Sequence, residues 1–520
     1  MDFTIYAYNR CVTVEIENSC PFFSLKKYDI YIDGVKKGET DKNVFMIYGL
    51  QPDRDYEISL DGMSHIVHTK KEKILLDVRK FGASGDGEKD DTEAITAAIA
   101  SCPKDGTVYI PDGEYKISPI FLKSNMTLLL SDSAVLKGQA DRKNYPVMPG
   151  MICNSDEGET AFSSWEGNPL SCFASLINLY DAENTDVIGS GTIDGNADNS
   201  DWWEKPKVKE IAWRGNLISL VRCRNIRFAG LTLKNSPSWT IHPYYSDDLD
   251  FSCLKVINPP DSPNTDGFDP ESCKNVTLRG SEISVGDDCI AIKSGKYYMA
   301  RYHLKRAENI NITNCYLKKG HGAVTLGSEI SGGVSRVNVR NCIFEGTDRG
   351  IRIKTRRGRG KDSVIDNLSC ENIQMMNVPM PLTINMYYFC DPDGHTDYVQ
   401  TKEMPVDEFT PSIGSIKLKK IRCSGVNASL ITSVGLVEKK VGSIELDDVK
   451  AVFRKKEDRK AVAAIMMDGM KPIEGIPLYV ENADKLVLKN VYVEGQELKE
   501  DVINNVLELK ESDYHVEGRS

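Results

Sequence analysis

One ten-residue phrase recurs through this chain and constrains its fold more than any other feature. Written as polar-Asn-apolar-x-apolar-x-x-apolar/Cys-x-apolar, it appears as RNIRFAGLTL, DDLDFSCLKV, KNVTLRGSEI, ENINITNCYL, SRVNVRNCIF, DNLSCENIQM, GSIKLKKIRC, GSIELDDVKA and DKLVLKNVYV. Its apolar markers are Ile226, Leu249, Val276, Ile310, Val337, Leu368, Ile416, Ile444 and Leu486, spaced by 23, 27, 34, 27, 31, 48, 28 and 42 residues. A base period of about 22–28 residues with insertions means stacked structural repeats. Each repeat holds short alternating runs and no long helix, so one repeat reads as one coil of strands, with coils about 4.8 Å apart. The expected fold class is all-β: a right-handed parallel β-helix, a solenoid that grows by adding coils. A leucine-rich repeat has similar spacing, but its Leu-rich consensus with a fixed Asn is absent. Cys253, Cys315, Cys342 and Cys370 recur near one phase of the phrase and read as an internal ladder of small apolar side chains.

Length alone, at 520 residues, would give three to four domains by the usual prior; stacked repeats remove that inference. The charge balance is 65 − 76 = −11, a poor match to a general nucleic-acid binder, so no nucleic-acid partner is expected. No uninterrupted apolar run reaches a membrane-spanning length, and no membrane partner is expected. The N-terminus lacks a basic region followed by an apolar one, which favours a cytoplasmic location; secretion after loss of a signal segment is the alternative. The fourteen cysteines need not be disulfide staples in a chain of this size. Nothing in the sequence sets an oligomeric state.

Residues 1–72 stand apart. YDIYIDG, NVFMIYGL and YEISLDG are short alternating runs between turn residues, the pattern of a small β-sandwich. Leu50-Gln51-Pro52 followed by Tyr56 resembles the tyrosine corner of fibronectin type III domains. Lys70-Lys71-Glu72-Lys73 reads as a linker. Residues 77–520 are expected to form the β-helix, entered by a short helix from Asp91-Thr92 with Ala94, Ile95, Ala98 and Ile99 as its apolar stripe.

A second phrase aligns the coils: PSWTIHPY, TDGFDPES, DDCIAIKS, GHGAVTLGS and DRGIRIKT, anchored on Trp239, Phe268, Ile290, Val324 and Ile351. Side chains alternate along a strand. With Ile351 and Ile353 inward, Arg352 and Lys354 point outward; with Ile290 and Ile292 inward, so do Ala291 and Lys293. Asp266 and Asp288 lie two positions before their anchors, and Asp287 and His321 three before. Three carboxylates, a His, an Arg and a Lys thus fall on one stripe. A lone Asp at a turn is most often a turn former, and Gly320-His321-Gly322 alone could be only a turn. Carboxylates this close repel and raise one another's pKa, which a structural turn has no reason to arrange. A calcium site could use them, but the neighbouring His, Arg and Lys argue against it. No metal and no cofactor are expected. Carboxylates pushed apart in pKa are what glycoside hydrolysis needs. Seven basic residues fall between Arg349 and Lys361. Arg352 and Lys354 read as a grip on a substrate anion, whereas Arg356 to Lys361 read equally as a solvated loop. An anionic sugar polymer fits both halves of the stripe.

In order along the chain, Asn264-Thr265-Asp266, Gly286-Asp287-Asp288, Gly320-His321-Gly322 and Arg352-Ile353-Lys354 resemble the motifs of glycoside hydrolase family 28, the polygalacturonases. The segment VRKFGASGDGEKDDTEAITAAI is similar to the entry of the same pectinase β-helix superfamily. The resemblance implies inverting hydrolysis of α-1,4 bonds between galacturonate units. It also implies roles: Asp287 as general acid, Asp266 and Asp288 activating the water, His321 tuning or orienting the acid. Arg352 and Lys354 would hold the galacturonate carboxylate, Asn264 would shape the site, and a family Tyr corresponds to Tyr387 or Tyr388.

The chain departs from short endo-acting members by its N-terminal β domain and by insertions around 139–175 (Trp165), 196–214 (Trp202, Trp203, Trp213) and 386–412. It also continues from His321 into GSEISGGV. Such loops can wall off one end of a groove, an architecture that resembles bacterial exo-acting polygalacturonases. The expected reaction is release of galacturonate units from a chain end of homogalacturonan or oligogalacturonides. An endo-polygalacturonase is the alternative; a rhamnogalacturonan hydrolase, a calcium-dependent pectate lyase and a non-catalytic pectin-binding β-helix stand behind it.

Overall fold

The structure, a computed structural model, describes residues 2–154, 158–390 and 395–518. The first seven strands are β1 (Phe3–Ala7), β2 (Cys11–Ile16), β3 (Phe23–Ile32), β4 (Val35–Lys42), β5 (Val44–Tyr48), β6 (Asp55–Leu60) and β7 (Met63–His68). They form two antiparallel sheets, β1-β2-β5 and β4-β3-β6-β7. Alternation along the strands drives Val12, Val14, Ile58 and Leu60 into a shared core. At the corner before β6, the Gln51 N–H donates to the Tyr56 hydroxyl at 2.8 Å.

A large sheet of parallel strands begins at Leu75–Asp77 and ends at Val502–Val516, its strands stacked coil on coil as a parallel β-helix. All nine markers of the first phrase lie directly opposite one another in successive coils, from Ile226 against Leu249 to Ile444 against Leu486. Leu509 extends the column by one coil beyond the last phrase. The nine markers are 0–2% exposed. Even the 48-residue spacing leaves Leu368 and Ile416 in register, because an insertion leaves the coil as a surface loop without disturbing the ladder.

The Asn of the phrase has its own reason. Asn225, Asp248, Asn275, Asn309, Arg336 and Asn367, each one residue before a marker, all have φ between 52° and 57°. Asn and Asp tolerate this left-handed corner better than most residues. Their side chains also stack: Asn225 donates to Asn184, Asn275 to Asp248 and Asn309 to Asn275, at 2.7–2.8 Å. Each corner thereby satisfies polar groups that a strand ladder cannot.

Two sequence expectations need correction. The cysteine ladder is shorter than the phrase implied: the Cys315 N–H meets the Cys342 sulfur at 3.4 Å. Cys370, however, stands in a column between Val339 and Leu418, and Cys253 sits at a corner with φ 53°. All fourteen thiols are free. The second phrase is misaligned in its first member. Phe268, Ile290, Val324 and Ile351 are in register, but Ile241, not Trp239, precedes Phe268.

The entry helix Thr92–Ser101 buries Ile95, Ala98 and Ile99, with Ala94 half-buried. Among the described residues no helix is long and apolar enough to cross a membrane. The sandwich packs on the flank of the β-helix through charged groups: the Arg227 guanidinium lies 4.1 Å from the Tyr8 ring centre and that of Arg279 3.8 Å from Tyr6.

Candidate active site

Four successive coils build the site. Phe268 and the strands Ile290–Ile292, Val324–Leu326 and Arg349–Lys354 stack on one face, with their inward residues in the core. The outward residues, and the turns just before each strand, line a cavity of about 540 Å³, within the usual range for a small-molecule site. The structure brings all seven sequence-derived residues into that cavity: Asn264, Asp266, Asp287, Asp288, His321, Arg352 and Lys354. Oxygens of Asp266, Asp287 and Asp288 lie within 4.8 Å of one another. That spacing would also admit a cation, although both oxygens of Asp288 already take cationic donors.

Asp288 is fixed from the C-terminal side. Lys354 Nζ donates to its Oδ2 at 2.9 Å and Arg352 Nη1 to its Oδ1 at 3.1 Å. Burial pushes this carboxyl up, but Lys354 and Arg352 together hold it well below the usual carboxylate range. Arg352 and Lys354 point outward as alternation requires; their first engagement, however, is with an acid of the site. Close packing depends on Gly322, where a Cβ would fall 2.7 Å from Asp288 Oδ1.

The other two carboxyls move the opposite way. Burial, then the neighbouring Asp288 charge, raises Asp287. Burial, then Asp287, pushes Asp266 up to about 8. His321 Nδ1–H donates to the Asp348 carboxylate at 2.8 Å, and this bond raises His321 above the ordinary histidine range. Asn264 adopts φ 56° and its side-chain oxygen accepts from Arg214 at 2.6 Å, which fixes the turn carrying Asp266.

Sequence reasoning missed part of the wall. Lys293 occupies the position of Lys354 two coils earlier, and the alternation argument had already turned it outward. Its ammonium lies 3.1 Å from Glu329, 3.6 Å from Asp269 and 3.8 Å from Asp266, and 4.4 Å from the Trp239 ring centre. Glu329 comes from the GSEISGGV segment. Arg349 also lines the cavity. Its Nε donates to the Ala464 carbonyl at 3.2 Å, and burial, then Arg352, lowers it to about 10. Of the two tyrosines, Tyr388 lines the cavity and Tyr387 is packed into the core.

The insertions reach the site, but not through their tryptophans. Trp165 stacks on Trp213 with ring centres 4.8 Å apart, Trp202 is buried, and Trp203 donates to the Ser236 carbonyl at 3.1 Å. The cavity wall instead receives Glu166 and Lys207, paired with each other, and Tyr388, Cys390 and Met466 from two later loops. Of the later basic run, Lys361 is exposed, but the arginines are not solvated. Arg356, Arg357 and Arg359 are buried, and Arg357 forms an ion pair with Glu438 at 2.6 Å.

The profile of glycosyl hydrolases family 28 matches residues 151–452, more than half of the chain. The chain belongs to glycosyl hydrolases family 28. A second profile, rhamnogalacturonase A/epimerase, pectate lyase-like, matches residues 75–164, where the helix begins. A probable polygalacturonase of Vitis vinifera is 30% identical over 327 residues, 61% of this chain. The match spans 64% of that relative's length. Among solved structures, an exopolygalacturonase from Thermotoga maritima is 25% identical with a TM-score of 0.65, covering 82% of this chain and 94% of that one. The family 28 exopolygalacturonase of Yersinia enterocolitica superposes with a TM-score of 0.72 at 18% identity, over 100% of this chain and 99% of the other. The family 28 fold, a parallel β-helix, is therefore shared.

Proposed function

We propose that this protein hydrolyses α-1,4 bonds between galacturonate units of homogalacturonan or its oligomers. The observation that carries the reading is a trio of carboxyls with opposed proton affinities in one cavity: Asp288 held low by Arg352 and Lys354, Asp287 and Asp266 raised. Divergent carboxyls divide into an acid and a base. Asp287 carries the proton for the leaving oxygen. Asp266 and Asp288 face the water, and His321 adds positive charge beside Asp287.

For the sugar carboxylate, Arg349 supplements the pair read from the sequence. Arg352 and Lys354 are engaged with Asp288, whereas no ion pair of Arg349 is formed among the described residues. We assign inversion on the family resemblance, supported by Asp288: a carboxylate pinned by two cations is a weak nucleophile. The oxygens within 4.8 Å are nevertheless closer than the roughly 6.5–9.5 Å usual for inverting enzymes. The anomer first released, read by proton NMR, tests this point separately.

Inserted loops on the cavity wall favour exo action. Glu166 and Lys207 come from the two earlier insertions, and Tyr388, Cys390 and Met466 from later loops. A time course on homogalacturonan with product sizing tests activity and mode together. Release of one short product from the first minutes, with a slow fall in viscosity, supports the exo reading. An early mixed ladder returns the assignment to an endo-polygalacturonase, and binding without new reducing ends removes hydrolysis. An unsaturated product would instead indicate a lyase.

Two further readings accompany this one. The sandwich is of fibronectin type III kind, supported by its strand order and the Tyr56–Gln51 bond. A cytoplasmic location is supported by fourteen free thiols, with Cys153 and Cys390 exposed. Labelling of those two thiols in intact cells by a permeant maleimide, but not by an impermeant one, checks it.

A further inference from the structure

Beneath the cavity lies a carboxyl that this mechanism does not use. Asp269 follows Phe268, whose ring is in the core, so alternation turns Asp269 toward the site. It is 0% exposed, and neither side-chain oxygen receives a hydrogen bond from any described donor. On the preceding coil, His242 is bound to Glu271 and Asn216; on the following one stands Ala291. The charged groups facing Asp269 are Asp266, Asp288 and Lys293. Lys293 is 3.6 Å away, and its nearer partner is Glu329 at 3.1 Å.

A count of charges shows the imbalance. Asp288 is matched by Arg352 and Lys354. Among the described residues Asp266 and Asp269 form ion pairs with Lys293 alone, and that ammonium lies closer to Glu329. A buried carboxylate without donors is strongly disfavoured and is relieved by taking up a proton. Two carboxyls can hydrogen-bond only with a proton between them, and Asp266 is the group within reach.

We propose that Asp269 is a positioning residue: its carboxyl is protonated and donates a hydrogen bond to Asp266, leaving Asp266 the anionic base with its free oxygen turned to the water. Burial, then the Asp266 charge, raises Asp269 well above the carboxylate range, in the same sense. In the reaction, the water oxygen bonds to the anomeric carbon as its proton passes to Asp266. The glycosidic bond breaks as the Asp287 proton moves to the leaving oxygen. The Asp269 proton stays on Asp269, and solvent resets the other two groups.

The inference rests on Asp266 as a base, so Asp266→Asn is measured alongside. An active Asp266→Asn enzyme removes that reading; a dead one leaves the inference to be judged on Asp269 alone. Asp269→Asn keeps an N–H donor and is expected to retain kcat within about 3-fold. Asp269→Ala loses the donor and is expected to lose kcat by roughly 10²-fold, the scale of acid–base effects, with KM little changed. Loss of a bond to the charged form raises the Asp266 pKa, so the acid limb of the kcat profile moves to higher pH in Asp269→Ala. A charged Asp269 would give the reverse, since its removal relieves repulsion. An unmoved or lowered limb, or an Asn variant as impaired as the Ala variant, overturns the proposal. Should Asp269→Ala not fold, infrared spectroscopy replaces it. A protonated-carboxyl band at neutral pH, lost in Asp269→Asn, supports the proposal, and its absence from the wild type overturns it.

Discussion

This protein buries charge in two places and treats it differently. Where the sandwich meets the β-helix, charges are matched. Arg227 binds Asp186 at 2.7 Å, with Lys70 also on Asp186 at 3.0 Å; Arg279 bridges Asp250 at 2.6 Å and Glu15 at 3.3 Å. Burial raises Asp186, but its bond to Arg227 wins and holds it below the usual range. In the cavity, acids outnumber their partners and split, Asp288 down and Asp266 and Asp287 up. Matched charges lock two bodies together. Unmatched ones keep protons available for transfer, at the expense of local stability.

The largest effect separating the two regions should come from Asp287→Asn. An amide cannot protonate a leaving oxygen, so kcat should fall by roughly 10²–10⁴-fold. The urea midpoint should not fall, because one unmatched acid has been removed. Steady-state kinetics and a urea titration check both halves; near wild-type turnover would take Asp287 out of the mechanism. The mirror experiment is Arg227→Met. Breaking a buried pair from one side destabilises by about 3–5 kcal/mol, so the urea midpoint should drop while kcat and KM stay put. A change in kcat would show that the interface and the site are coupled.

The sequence carried the architecture because the coil is periodic. Ile226 to Leu486 could be aligned by eye, and the stack made each marker the neighbour of the next. It also brought six of the seven cavity residues onto one stripe, with Asn264 added by the motif alone. What it could not show is how side chains pair across coils. Arg352 and Lys354 read as free cations until Asp288 is placed between them. Lys293 was turned outward correctly, yet its partner Glu329 lies 36 residues on. Nothing in the stripe or the motifs singles out Asp269. Trp239 follows a turn as the other anchors do, and only the register of Ile241 with Phe268 places it on the cavity wall. The inserted loops carry no periodicity, so the sequence pointed to their tryptophans while Glu166 and Lys207 do the reaching.

Two arginines on one strand sharpen the contrast within the site. Arg352→Ala leaves Asp288 with Lys354 alone, raises its pKa, and should lower kcat and move the acid limb to higher pH. Arg349→Ala removes a cation not committed to an acid and should raise KM for oligogalacturonides with kcat nearly kept. Methyl esterification of the substrate should cancel the Arg349 effect and leave the Arg352 effect. Equal kcat losses in both variants would show that the two arginines act as one unit.

A smaller effect appears in stability against pH. Asp266 is raised by burial and by Asp287 from 3.8 to about 8. Between those values the Asp266–Asp269 pair holds a proton in the folded state that the unfolded chain releases, so stability falls as pH rises from about 4 to 8. Asp266→Asn lacks that loss. Its Tm relative to wild type should therefore rise between pH 5 and pH 8, whereas the difference for a variant at the matched interface acid Asp186, held below the usual range, should be flat there and change only below about pH 4. A flat difference across that range would mean the site acids are compensated after all.

The smallest effect on stability should come from Glu166 and Lys207, and it bears on the mode of action. The Lys207 side chain is 62% exposed and that of Glu166 28%, and such pairs contribute about 0–1 kcal/mol. Replacing both with Ala should leave the urea midpoint nearly unchanged. Their place at the cavity wall gives them another consequence. If their side chains close one end, the sugar beyond the cleaved bond has no room to extend past them, and only a chain terminus fits. Shortening both to Ala opens that end without touching Asp266, Asp287 or Asp288. Longer products should then appear early in digests of oligogalacturonides, while kcat on the shortest substrate stays the same. A product pattern identical to wild type would show that the end is closed by the backbone of the two insertions, and the test would pass to shortening 196–214 itself.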